Sequence, residues 1–491
     1  MKQLSISILI ILFTLFSCED FEEIKENPNN VSETHPQLLL TKIEWDAFQV
    51  KGASPLFASR MLVQTDGEQS EQFYTWNRAS FSDYNNLRNI TKMMEEGQRI
   101  ESPSYEALAK FFRAVYFYNL TLTFGDIPYS EALKGESEEL YTPGYDSQKN
   151  VFTGILNELE EANNLITDDI IEGDIIFDGD AEKWKKLINS FRLKILISLS
   201  NQESDADLNI ASKFANIVSN EPIMESLDDN GQLVFLDQDG NRYTEFNSSS
   251  YSSSRYMDST FIQKLIDRKD PRLFIYSDRT GIAKEAGLAI NDFNAYEGGN
   301  PIAPYSEVNA KAAKKLVSTI NLRYVSDPTN EPHVVLGYPE LQFILAEARV
   351  RGWINTSDAK TYYENGVKAS FRFFNTYAEN YAPYVDANAA NTYLQEDLIN
   401  FDNASTNEEK IERIVTQKYL QSFLQGGWTS YFEHLRTGYP SFLILGDATP
   451  PTRWMYPNDE YQYNGQNVSD AIKNQFGEGN DDTREIPWWI K

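Results

Sequence analysis

Apolar residues recur at three- and four-residue steps along two long stretches of this 491-residue chain, and between about residues 221 and 332 that rhythm breaks. The contrast confines the fold to two helical blocks with an irregular segment between them, because a face repeating every 3.6 residues is buried only by a helix. In the first block, 37–220, helices are expected over 38–49, 84–99, 105–124, 150–166, 181–199 and 211–220, with Asp180 placed as an N-cap. In the second, 336–440, they are expected over 338–351, 357–374 and 407–425. The intervening region, 221–335, reads as short strands, Ser clusters and Gly turns. There, 233–236 and 242–246 flank Asp239-Gly240, which predicts a hairpin because Gly tolerates the positive φ of its turn. Beyond Tyr439 the chain reads as turn-rich, with 441–491 a tail packed on the scaffold. The expected fold class is therefore mostly α: stacked helix pairs of tetratricopeptide type, degenerate because no clean 34-residue period recurs, plus an irregular insert.

Seventy-three Asp and Glu against 44 Lys and Arg leave a formal charge of −29, which repels nucleic-acid phosphates and anionic headgroups and argues against any nucleic-acid partner. With 41% apolar and 13% aromatic residues, the chain is nonetheless globular rather than a disordered acidic one. One cysteine excludes disulfides and multi-thiolate metal sites, and the three histidines, His35, His333 and His434, lie far apart, so neither a metal centre nor a cofactor is expected. Asp237-Gln238-Asp239-Gly240-Asn241 resembles the opening of a calcium loop, but Arg242 stands where that loop needs Gly and Ser248 where it needs Glu, which leaves the hairpin turn. Calcium elsewhere on so acidic a surface has no position that the sequence can locate.

Lys2 precedes an apolar run from Leu4 to Phe16 that is too short to span a bilayer, which takes about 20 residues, and fits the core of a signal peptide, 1–17. It ends at Leu15-Phe16-Ser17-Cys18, which resembles a bacterial lipobox in which Cys18 becomes the lipidated first residue. The plainer alternative is a secretory signal with an incidental Cys. Two acyl chains anchor stably where one does not, so a lipidated Cys18 would hold the protein at the membrane, with 18–36 as a polar tether. Removing 1–17 takes away Lys2 alone, leaving 43 basic against 73 acidic residues and a charge of −30.

Several motifs carry a family resemblance. Phe124-Gly125-Asp126-Ile127-Pro128-Tyr129-Ser130-Glu131-Ala132-Leu133 follows the third expected helix, Trp184 to Leu193 precedes Lys194, and Asp270-Pro271-Arg272-Leu273 lies in the insert. Leu345-Ala346-Glu347-Ala348 within 338–353, Arg436-Thr437-Gly438-Tyr439-Pro440, and a tail of Arg453 to Pro457 with Asn464, Asn467 and Trp488-Trp489 complete the set. From lipobox to tail the chain resembles the SusD/RagB outer-membrane glycan-binding lipoproteins of Bacteroidetes, in their SusD-like branch. It departs at Leu435, where many members carry a second Arg, and at Tyr431, where a Trp is usual; both positions read as structural. The resemblance implies about four tetratricopeptide-like units and a less regular ligand-binding region. It also implies a place on the outer membrane facing outwards, for which the acidic run Glu19, Asp20, Glu22, Glu23 resembles an export signal. The implied partner is a SusC-like TonB-dependent transporter that the lipoprotein covers like a lid.

A glycan-binding surface needs flat apolar faces for sugar rings, with Asn, Gln, Asp or Arg beside them for the hydroxyls. Of eight Trp, seven have a structural place ready; Trp76 does not, and sits among Phe73, Tyr74, Asn77 and Arg78 in a polar stretch whose composition favours exposure. It is expected either as a ligand platform, which the resemblance supports, or as a loop-anchoring hydrophobe, with Asn77 and Arg78 offering hydrogen bonds. A second candidate cluster is Asn294, Tyr296 and Tyr305 around Gly298-Gly299, glycines that either let the backbone approach a ligand or simply make a turn. The Ser-rich stretch 248–254 reads as a solvated loop. No catalytic residue is assigned: acids are too abundant for a hydrolytic pair to stand out, and no nucleophile elbow, zinc-binding helix or phosphate loop occurs. The expected function is capture of an oligo- or polysaccharide, neutral given the charge, and its delivery to the transporter. The alternatives are a peptide cargo and, further off, a surface glycosidase.

Overall fold

Paired helices form where the apolar stripes run. The computed structural model describes residues 34–491 apart from 51, 168, 169 and 447; the signal segment, Cys18 and most of the tether lie outside the described residues. The first block comprises α1 (Pro36–Phe48), the one-turn α2 (Ser70–Phe73), α3 (Asp83–Arg99), α4 (Pro103–Phe124), α5 (Gln148–Leu165), α6 (Ala181–Ser198) and α7 (Ile210–Asn220). From α3 onward each helix packs on the next. α4 buries Phe111, Phe112, Phe117 and Leu122 on different sides, as a helix apolar all round must. Pro103 starts it and Gly125 stops it, at φ +94°, with Gln475 Oε1 2.2 Å from where a Cβ would stand. Asp180 caps α6, accepting from Lys183 N at 3.2 Å.

The insert departs from its reading as strands and loops. It contains α8 (Ser259–Asp267) and α9 (Tyr305–Ala313) as well as short strands. α8 buries only Phe261, Ile262 and Leu265, too little periodicity to stand out between Ser and Gly. Strand β1 (Leu62–Gln64) of the first block pairs antiparallel with β3 (Arg255–Met257), while β2 (Gly231–Leu233) pairs antiparallel with β4 (His333–Leu336) and closes the base of the insert. The expected hairpin does not form. Its turn is present, with Leu236 N donating to Asn241 O at 2.8 Å, but Tyr243 is buried and gives its N–H to Pro328 O at 2.7 Å, which draws 242–246 away from β2.

The second block holds α10 (Tyr338–Val350), α11 (Ala359–Tyr377), α12 (Asn407–Gln421) and α13 (Thr429–Thr437). α10 packs on α11, on α12 and, across the blocks, on α6. The tail, read as turns, carries α14 (Asn458–Tyr463) and α15 (Gly465–Phe476), the latter burying Val468, Ala471 and Ile472 at helical spacing among Asn, Gln and Gly. Among the described residues no helix is long and apolar enough to cross a membrane.

Ion pairs lock these parts together. Glu347 of α10 accepts Arg436 Nη2 of α13 at 2.8 Å. In the insert, Arg272 Nε meets Asp270 Oδ1 at 2.9 Å, Arg272 Nη2 reaches Gln417 Oε1 at 2.8 Å, and Tyr393 donates to Asp270 Oδ2 at 2.9 Å, all out of solvent. Arg272→Ala strands the Asp270 charge and is expected to cost about 3–5 kcal/mol of stability. Denaturant titration should show Arg272→Met combined with Asp270→Leu to be less harmful than that single change.

Candidate functional site

The loop between β1 and α3 makes few backbone bonds and is held by side chains. Arg60, buried, donates from Nε to Leu443 O at 2.9 Å and from Nη1 to Phe57 O and Gln72 O, and its guanidinium lies 4.1 Å over the Tyr74 ring. Tyr74, at φ +56°, donates to Ala58 O at 2.8 Å; burial lifts its phenol to about 12. Gln72 accepts from Gln64 N at 2.9 Å and donates to Pro301 O at 3.0 Å, so the loop meets the 296–305 segment of the insert.

Trp76 is not an exposed platform. Its ring stacks on Trp454 at 5.1 Å and meets Tyr431 at 5.3 Å, Trp428 at 5.7 Å and Tyr74 at 5.8 Å edge-on, which leaves it 5% exposed. Three of these four rings, Trp428, Tyr431 and Trp454, come from far along the chain, so loop composition alone could not reveal them; ring area and quadrupole draw them together. Tyr74 is buried in the same nest and Phe73 is partly buried. Tyr296 is buried too, donating to Ile290 O at 2.7 Å and lying against Phe274. Asn294 is exposed but folded onto Asp292 at 2.9 Å, and Tyr305 is a partly exposed first residue of α9. Gly298 and Gly299 let the chain approach itself: a Cβ on Gly298 would stand 2.2 Å from Ser259 N, and Ser259 N donates to Gly299 O at 2.8 Å. The Ser-rich stretch is one helical turn, Ser249–Ser253, with Tyr251 buried.

Asn77 and Arg78 remain at the surface. The Asn77 carbonyl accepts from Met455 N at 2.9 Å. Arg78 Nη1 meets Asp481 Oδ2 at 2.9 Å and the Tyr456 carbonyl, with its guanidinium 5.1 Å from the centre of the Tyr461 ring. Tyr461 donates to the same Asp481 oxygen at 2.6 Å and stays 39% exposed. Sequence reasoning missed Tyr461 and Asp481, although Tyr461 and Tyr463 stand among Asn and Gln much as Trp76 stands in its own polar stretch. Tyr431, in place of the usual Trp, is buried and donates to Pro451 O at 2.7 Å.

A cavity of about 520 Å³ lies between α4, α6 and α13, with Asn119, Lys194, Trp428, Glu433, Arg436 and Trp489 in its walls. Of the charges in its walls, Lys194 pairs with Glu340 at 3.1 Å and Arg436 with Glu347 and Glu433. Burial opposes ionisation of Glu433, but Arg436 and Lys418 override it and hold the carboxyl at about 2. Among the described residues no group of three or more His, Cys, Asp or Glu could hold a metal ion.

Comparison with known proteins agrees with this architecture. The sequence matches the SusD-like family described as starch-binding and associating with the outer membrane, over residues 28–457. A SusD homologue of Bacteroides fragilis is 53% identical with a TM-score of 0.89, the match covering 94% of this chain and 100% of that one. A second SusD homologue of the same species is 32% identical, with a TM-score of 0.86 and coverage of 93% and 100%. A chitin-binding SusD homologue from Flavobacterium johnsoniae, 19% identical, shares the fold at a TM-score of 0.73 with 93% and 99% covered. No curated protein matches. The chain belongs to the SusD-like family.

Two outcomes follow from this geometry. Trp76→Ala empties the centre of the nest and should lower stability by about 3–5 kcal/mol, read from the denaturation midpoint. Burial pushes Asp126, Glu245 and Asp258 up to about 7, against opposing hydrogen bonds and cations. Each binds a proton more readily folded than unfolded, so its contribution is complete below about pH 4 and lost as pH rises through 7. The melting temperature at about pH 5.5 should exceed that at about pH 8, and Asp258→Asn, which keeps the α8 cap, should narrow the gap.

Proposed function

We propose that this protein is a non-catalytic lipoprotein, anchored through Cys18 at the outer-membrane surface, that captures a neutral oligo- or polysaccharide and passes it to a TonB-dependent transporter. The observation that carries the reading is the cluster of Arg78, Tyr461 and Asp481, with Asn77 exposed beside it, in a chain whose family is described as starch-binding. Asp481, shared between Arg78 and the buried Arg453, fixes the Arg78 guanidinium in place, and the N–H groups it leaves at the surface suit hydroxyls. The ring of Tyr461 is already immobilised, which lowers the entropy lost when a sugar stacks on it. Tyr74 and Trp76 anchor the loop that carries Asn77 and Arg78, while Tyr296 is packed within the insert against Phe274. Phe73, Asn294 and Tyr305 are assigned as peripheral contacts, on the side where Gln72 meets Pro301.

Binding without bond cleavage means that the ligand leaves as it came, and moderate affinity serves a protein that hands its cargo on. Starch and chitin oligosaccharides are the first probes, after the family's description and the Flavobacterium relative. Affinity electrophoresis of the secreted chain carrying Cys18→Ser, through starch, glycol chitin, xylan, mannan and alginate, should show retardation by a neutral glycan. Arg78→Ala should weaken it about 10-fold or more. Retardation by alginate alone, or binding of peptides with no glycan retained, would refute the reading.

A further inference from the structure

The two most exposed aromatic rings among the described residues, Tyr141 at 76% and Tyr463 at 69%, belong to one seam. Tyr463 ends α14; Tyr141 lies in the loop between α4 and α5. Asn464 donates to Pro143 O at 2.9 Å, Asn467 to Thr142 O at 3.0 Å, and Tyr145 to Glu460 Oε2 at 2.7 Å, so that loop is fixed to the start of α15 and to α14. The Tyr141 ring also rests on Gly135, where a Cβ would stand 3.4 Å from two ring carbons. On the other flank of α14, Tyr461 is braced by Arg78 and Asp481. Two residues of α-helix turn through about 200°, so Tyr461 and Tyr463 are separate contacts either side of the helix crest, about one helix diameter, ~10 Å, apart.

Apart from Arg78 and Lys134, each paired with a carboxylate, the surface between and around these rings is made of amides and acids. Asn458, Gln462 and Gln466 expose amides; Asp459, Glu136, Glu138 and Glu139 expose carboxylates, and Lys134 is paired with Glu138 at 3.3 Å. A protein interface has a contiguous apolar core. Here the rings are islands among amides and acids, which repel a polyanion and match the alternating C–H faces and hydroxyls of a neutral sugar chain.

We propose that Tyr141, Tyr461 and Tyr463 form a contact surface for a neutral polysaccharide laid across the crest of α14, engaging one ligand at two or more points. This rests on the glycan-capture reading and supplies its principal contacts. Points so far apart favour a long ligand over a short one, and each contributes separately.

Isothermal titration of the secreted Cys18→Ser chain with maltooligosaccharides and chitooligosaccharides of two to seven units tests it. Affinity for one series should rise with length. Tyr141→Ala, Tyr461→Ala and Tyr463→Ala should each weaken the longest ligand about 3- to 10-fold, with unchanged melting temperatures, and Tyr463→Phe should bind nearly as well as the unaltered chain. Alanine variants that bind the longest ligand as tightly as the unaltered chain overturn this inference alone. An unaltered chain that binds neither series, nor any neutral glycan on gels, overturns the capture reading and the inference with it. Peptides bound in a manner abolished by the same alanines would assign the surface to a polypeptide and likewise overturn it.

Discussion

Buried guanidinium groups hold the irregular parts of this protein to its helices. Backbone outside helices and sheets leaves carbonyls without partners, and a carbonyl out of water needs a donor. Arginine brings five donors on one planar head. Arg60 spends them on carbonyls of residues 57, 72 and 443; Arg453 serves the carbonyls of Phe124 and Asp482 and the carboxylate of Asp481; Arg272 takes Asp270. All three are almost wholly out of solvent, where a cation is tolerated only when it is well bonded. The loop ahead of α3, the insert and the tail are thus each fastened by one such residue.

The aromatic nest stands where these fastened parts converge. Trp76 comes from the loop, Trp428 and Tyr431 from the second block, and Trp454 from the tail. Rings packed in this way fix the strand of chain that follows Trp76, and so the positions of Asn77 and Arg78. Rigidity under an open surface is what a binding site for weakly interacting sugars needs, since each contact is small and the ordering cost would otherwise consume it.

Much of the fold was legible in the sequence. The long helices lie within a few residues of their expected bounds because each shows its apolar stripe over several turns, as α4 does from Leu108 to Leu122. What escaped is short, non-local or, in the twelve-residue α15, marked by only three buried apolar residues among Asn, Gln and Gly. α8 and α9 have nine residues each, and α14 has six, so their periodicity never accumulates. β2 pairs with β4 rather than with its neighbour, a choice made by the burial of Tyr243 and invisible locally. For the site, polar composition correctly marked the 73–78 loop as a place where side chains reach solvent, in Asn77 and Arg78, but it misjudged Trp76 and Tyr74. Their burial depends on residues some 350 positions later, a contact that no window around the loop contains.

The dependence of Arg78 on Asp481 and of Trp76 on Trp454 has a consequence for the order in which the protein comes into being. A ribosome makes the loop early and the tail late, so the loop is synthesised, and waits, before the residues that give it shape exist. A chain stopped short of the tail would hold both helical blocks yet lack the stacking partner of Trp76 and the counter-ion of Arg78. Completion of synthesis, rather than formation of the scaffold, is thus the step at which this surface first acquires its form.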